Sequence, residues 1–124
     1  DMFYHPVNVA RHPACRKAIE EVLRYIEEEG IIAVHKGNDG LWEWWDRRSR
    51  SQITDVTVDE KTVSFKAICE YDEGMIVKTP VEQVASVTCD GRKTVYQNRT
   101  EFGRNWVYLI VPPGEHLIKL GERV

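Results

Sequence analysis

Asn38-Asp39-Gly40-Leu41-Trp42-Glu43-Trp44-Trp45-Asp46-Arg47-Arg48 gathers three of the chain's four tryptophans into four positions. Before it, apolar residues recur at helical spacing; after it, they alternate with the period of two that marks strands. The stretch itself reads as a helix opened by Asn38 or Asp39, whose short side chains accept hydrogen bonds from the free N–H groups. Leu41, Trp42 and Trp45 share one face and Ser49 continues it, while Trp44 points about 100° away from Trp45. Glu43 and Arg47, one turn apart, mark the wetter side, nearer to Trp44. Large aromatics on two sides need two surfaces to bury against. The helix is therefore expected to join two structural units, with Trp45 buried and Trp44 the more accessible.

Upstream, Asp1 to Tyr4 is a short apolar run with strand character, stopped by His5-Pro6 because proline has no N–H for a ladder. Val7 to Arg11 reads as loop. Pro13 suits the first turn of a helix, where its missing N–H costs nothing. Ala18, Ile19, Val22, Leu23 and Ile26 then fall on one helical face, charged residues cover the rest, and Gly30 supplies a stop. Ile31 to Val34 is a continuous apolar run of the kind found in strands buried on both faces. Strand, helix, strand, helix is the order of β/α units. Two strands alone cannot cover their own edges, so this segment is expected to pack on something more.

Downstream of Ser51, Val56 and Val58 alternate, as do Val63, Phe65, Ala67 and Cys69. Met75 and Val77 follow, then Ala85, Val87 and Cys89. Asp90-Gly91 is a strong hairpin signal, since both central residues of a type I′ turn need positive φ. Thr94 to Tyr96, Trp106 to Val111 and Leu117 to Leu120 complete the set, with Pro112-Pro113-Gly114 turning between the last two. Six or seven short strands predict an antiparallel, immunoglobulin-like β-sandwich over residues 53–124, without the Cys…Trp…Cys signature of true immunoglobulin domains. The expected fold is α+β: a short two-helix β/α segment over residues 1–52, then the sandwich.

A net charge of −3 gives no indication of a nucleic-acid partner, and no apolar run approaches the ~20 residues that span a bilayer. The first residue is Asp1 rather than Met, which is read as a sign of a longer parent protein. Cys15, Cys69 and Cys89 match no zinc spacing. Cys69 and Cys89 stand in strands and can in principle pair, although two small buried thiols are the simpler reading. Tyr71, Tyr96, Trp106 and Tyr108 offer a platform on which sugar rings could stack; the competing reading is core packing and cross-strand pairing. Asp39, Glu43 and Asp46 sit among arginines and read as a solvated face. His5 ends a short strand in a β/α setting, where such folds present catalytic groups, and an unperturbed pKa of ~6.5 suits proton transfer.

Phe3-Tyr4-His5-Pro6, an amphipathic helix, Gly30-Ile31-Ile32 and the tryptophan–arginine helix, in that order, resemble the C-terminal end of polysaccharide deacetylases. These enzymes have a distorted β/α barrel and use a divalent metal to remove N-acetyl groups from sugars. The resemblance covers residues 1–52. The family's last motif is an apolar residue, any residue, then His, often followed by Pro or Ser, and Phe3 and His5 match it. By this resemblance Phe3 would line the acetyl pocket and His5 would be the general acid protonating the departing amine. The family's Asp-Asp pair, its His-x-x-x-His or His-x-x-x-Ser ligands and its arginine-bearing motif have no counterpart, because His5, His12, His35 and His116 never fall four apart. A metal site needs about three converging protein ligands. The expectation is thus a C-terminal part of a deacetylase-like hydrolase, non-catalytic alone. It carries no cofactor, while the parent uses zinc or a similar metal. Its expected partners are the rest of the deacetylase domain and a polysaccharide, with no nucleic acid and no membrane. The competing expectation is a stand-alone carbohydrate-binding or protein-interaction sandwich.

Overall fold

The computed structural model describes residues 6–31, 33, 36–81 and 84–123, the last two by backbone only. It divides into two compact units, Asp1–Lys36 and Gly37–Val124. The boundary expected between residues 52 and 53 falls inside the second unit, so the tryptophan helix groups with the sandwich.

In the first unit, helix α1 (Pro6–Arg11) occupies the stretch expected to be loop. Its first residue is a proline, the same signal that opens helix α2 (Pro13–Glu28) seven residues on. Pro13 pushes the residue before it out of the helical region: His12 has φ −117° and ψ 104°, which separates the two helices. The end of α2 closes with paired bonds, from Gly30 N–H to the Glu27 carbonyl at 3.1 Å and from Ile31 N–H to the Ile26 carbonyl at 2.9 Å. This is the Schellman arrangement that a glycine stop predicts. Cys15, Ile19 and Ile26 are half-buried, whereas Val22 and Leu23 of the expected apolar face are exposed. Ile31 and Ala33 belong to no strand, and Ile32 and Val34 lie outside the described residues.

The second unit opens with helix α3 (Asn38–Arg50), whose N-cap is Gly37, not Asn38 or Asp39, with no side-chain cap bond. Asp39 in its first turn and Arg47, Arg48 and Arg50 in its last complement the helix dipole. The buried side of α3 differs from the expected one. Trp42 and Trp45 are 71% and 62% exposed, whereas Gly40, Trp44, Asp46, Arg47 and Ser51 are half-buried, and Trp44 packs on the sandwich core. Apart from Asp46, which pairs with Arg50, these positions follow the i, i+4, i+7, i+11 rhythm of a single narrow stripe. Ser51 fixes it: its hydroxyl donates to the Arg47 carbonyl and accepts the Glu70 N–H, both at 3.0 Å. The helix end is thereby tied to a strand end.

Among the described residues eight antiparallel strands follow: β1 (Gln52–Val58), β2 (Thr62–Cys69), β3 (Met75–Thr79), β4 (Val84–Cys89), β5 (Arg92–Lys93), β6 (Tyr96–Glu101), β7 (Arg104–Val111) and β8 (Gly114–Arg123). They form an α+β fold with a two-layer β-sandwich, one sheet in the order β1-β2-β8-β4-β5 and the other β3-β7-β6. The architecture is immunoglobulin-like in its two antiparallel layers. The strand order is nested, as in double-sheet jelly rolls, with β8 in the larger sheet beside β2 and β7 beside β3.

Alternation in the sequence becomes alternation in burial. Val63, Phe65, Ala67 and Cys69 of β2 face Val107, Leu109 and Val111 of β7, with Ile118 and Leu120 of β8, to make the core. Because one sheet has five strands and the other three, β1 overhangs. Its Ile53, Val56 and Val58 are all more than half exposed. The Asp90-Gly91 hairpin is present: φ is 51° and 77°, and Cys89 pairs with Arg92 across it. At the start of β4 it is Val84, not Ala85, that is buried. Asn98 of the opposite sheet explains this, since its amide accepts the Val84 N–H at 3.3 Å and donates to the Val84 carbonyl at 3.2 Å. The Tyr96 hydroxyl donates to the same carbonyl. Two side chains of the opposite sheet thus hydrogen-bond the Val84 backbone at the start of β4. All three cysteines are free thiols.

Candidate functional site

The outer face of β3-β7-β6 brings aromatic and charged side chains together. On β7 the residues Trp106, Tyr108 and Ile110 alternate with buried Val107, Leu109 and Val111, so a strand buried on one side presents two aromatic rings on the other. Register places Lys78 and Gln97 on either side of Tyr108, and Arg99 beside Trp106. The Lys78 ammonium lies 4.1 Å from the Trp106 ring centroid and 5.2 Å from that of Tyr108, within the range of cation–π attraction. The same ammonium meets Glu101 Oε2 at 2.6 Å, and the Tyr108 hydroxyl donates to Glu101 Oε1 at 2.7 Å. The Arg99 guanidinium stands 5.9 Å from the Tyr108 ring and donates to Gln97 Oε1 at 3.0 Å. The Trp106 indole N–H is buried with no acceptor among the described residues. That is an uncommon state for a donor.

These contacts set the charges. The Lys78 hydrogen bond, followed by that of Tyr108, holds the Glu101 carboxyl below the usual glutamate range, and Glu101 in turn raises Lys78. A depressed carboxylate stabilises the fold above its unfolded pKa and loses that contribution as pH falls through the depressed folded value. The raised lysine acts oppositely: its contribution is present below its unfolded pKa and fades as pH rises through the raised value. The network is therefore expected to hold across the neutral range and to open at the acid end through Glu101. Side-chain carbon NMR of Glu101 should show a midpoint below 4.5, the ordinary value, with the Trp106 indole resonance moving in step. Titration at the ordinary value would mean that the carboxylate does not hold Lys78 in solution.

Of the four aromatics singled out from sequence, Trp106 and Tyr108 share this face. Tyr71 is a core residue, 7% exposed, and Tyr96 turns inward to Val84. Phe3 and His5 lie outside the described residues. Asp46 pairs with Arg50, and Arg48 stands 5.8 Å from the rings of both Trp44 and Trp45. The α3 charges therefore serve the helix itself. Lys78, Gln97, Arg99 and Glu101 were not singled out in advance. Their signal was the polar alternation Gln97, Arg99, Glu101 in a stretch not recognised as a strand beyond Tyr96.

No protein-family model, curated protein or solved structure matches this chain.

Proposed function

We propose that the sandwich is a carbohydrate-binding accessory module, and that the chain is the non-catalytic C-terminal part of a polysaccharide deacetylase-like hydrolase. The observation that carries the binding role is the Trp106–Tyr108 pair, two rings two residues apart on one strand and bordered by hydrogen-bonding groups. Side chains at i and i+2 stand roughly 6.5–7 Å apart on a strand, a spacing at which neighbouring pyranose rings can each meet an aromatic face. Lys78 covers Trp106, but it is held by an exposed ion pair of the kind that contributes little to stability. A sugar can displace it and offer a hydroxyl oxygen to the unpartnered indole N–H. Gln97, Arg99 and Glu101 supply donors and acceptors at the border.

The deacetylase assignment rests on the resemblance of residues 1–52. Among the described residues the metal-capable side chains that cluster are Cys89, Asp90 and His116 of the sandwich, a donor set unlike the family's. The catalytic metal, the base and any step that involves them belong to the parent domain. In this reading His5 and Phe3 complete that domain's site, and the sandwich contributes binding of the polymer.

The test is a titration with acetylated chito-oligosaccharide, followed by calorimetry and tryptophan fluorescence. Saturable binding is expected, with Trp106→Ala and Tyr108→Ala each weakening it by tenfold or more, the scale of a buried aromatic contact. The chain should release no acetate from the same sugar in the presence of zinc. Absence of binding to this and other neutral polysaccharides, or affinity indifferent to both substitutions, would overturn the binding role. Sustained, chelator-sensitive acetate release would overturn the non-catalytic one.

A further inference from the structure

We propose that Cys89, Asp90 and His116 form a three-ligand zinc site at one end of the sandwich, with its fourth position open. Cys89 is the last residue of β4 and packs against the core. His116 lies on the same side of β8 as the buried Ile118 and Leu120, by the two-residue alternation of a strand. Both therefore reach the mouth of the core, where the β4–β5 turn meets the Pro112-Pro113 turn. Asp90 arrives from the hairpin turn, its φ of 51° taking it out of the strand alternation. One ligand atom from each of the three lies within 4.8 Å of the others. Tetrahedral zinc with N, O and S bonds of about 2.0–2.3 Å sets its donor atoms about 3.3–3.8 Å apart, so modest side-chain rotation suffices.

The atoms that would not touch the metal are already held. His116 Nε2–H donates to the Pro113 carbonyl at 3.0 Å, which leaves Nδ1 as the coordinating nitrogen. Asp90 Oδ1 accepts the Leu117 N–H at 2.8 Å, which leaves Oδ2 free to turn to a metal. Bonds of this kind orient the ligands of metal sites and are part of their affinity. Oδ2 and Nδ1 stand 2.7 Å apart and share a proton in the place the ion would take. A hollow of about 470 Å³, also lined by Arg92, Lys93 and Thr94, opens on the three residues and leaves room for a water or a small anion as fourth ligand.

Binding through Cys89 releases the thiol proton, and binding through His116 Nδ1 takes the place of the proton shared with Asp90 Oδ2.

Cobalt(II) titration of the chelator-stripped chain at neutral pH tests this. Saturation at one equivalent is expected, with a thiolate-to-metal charge-transfer band and a tetrahedral visible spectrum. Zinc competition should erase both. Cys89→Ser should abolish the charge-transfer band, and His116→Asn should weaken binding by at least tenfold. Cys15→Ser should change neither. Zinc should also slow alkylation of Cys89 in the unmutated chain by tenfold or more, a readout that does not depend on how a variant folds. No saturable binding, a band that survives Cys89→Ser, or alkylation indifferent to zinc would each overturn the site.

Discussion

Trp44→Ala is expected to lower the stability of the second unit by roughly 2–3 kcal/mol, somewhat below the ~3–5 typical of a fully buried tryptophan because part of the ring stays wet. Trp45→Ala should stay within about 0.5 kcal/mol, as surface substitutions usually do. The order follows from where α3 docks. Trp44 packs against the core formed by both sheets, whereas Trp45 is 62% exposed and touches Trp44 edge-on at 6.2 Å between ring centroids. Urea midpoints of the two variants measure the difference. A larger loss for Trp45→Ala would place the helix on the sandwich through its Leu41–Trp45 side. By the same argument a fragment beginning at Gly37 should fold more stably than one beginning at Ser51, which discards Trp44 and the Arg47 carbonyl that receives Ser51.

Gly74→Ala is the second large effect, about 3 kcal/mol or more. Gly74 closes the turn between β2 and β3, its N–H bonding the Tyr71 carbonyl at 2.9 Å, with φ at +84°. A side chain at positive φ costs roughly 1–2 kcal/mol by itself. Here an added Cβ would also sit 2.7 Å from the backbone oxygen of Val111, and Val111 is a core residue of β7 that cannot withdraw without disturbing its neighbours. Thermal unfolding of Gly74→Ala should show a much lower midpoint. A loss below about 1 kcal/mol would mean that β7 yields and that this end of the sandwich is looser than its packing implies.

The strands were legible because their signal is local. Val63, Phe65, Ala67 and Cys69 alternate without interruption, and Asp90-Gly91 carries its turn type in two residues. β6 was harder to see. Gln97 to Glu101 is polar, and its membership depends on pairing with β7, which no short window reveals. The buried face of α3 was misread for a related reason. Counting apolar side chains favours Leu41, Trp42 and Trp45, but the docking is decided by Ser51 meeting the Glu70 N–H nineteen residues away. Helix α1 was missed because Pro6 was read only as ending what precedes it, although proline opens helices equally well. At the candidate site the aromatic half, Trp106 and Tyr108, was in view from the sequence. The charged half was not, since Lys78, Arg99 and Glu101 come together only through the register of three strands. The Cys89, Asp90 and His116 cluster likewise joins a hairpin to a strand that begins more than twenty residues later, and no spacing rule spans that gap.

Amide and indole chemical-shift mapping during titration with acetylated chito-oligosaccharide tests most directly the proposed binding of a sugar polymer by the outer face of β3-β7-β6. The expected result is a contiguous set of shifts on Lys78, Gln97, Arg99, Glu101, Trp106 and Tyr108, led by the Trp106 indole N–H as it gains an acceptor. A spectrum unchanged at saturating sugar, or shifts confined to α3 or to the hollow beside Arg92, would contradict it.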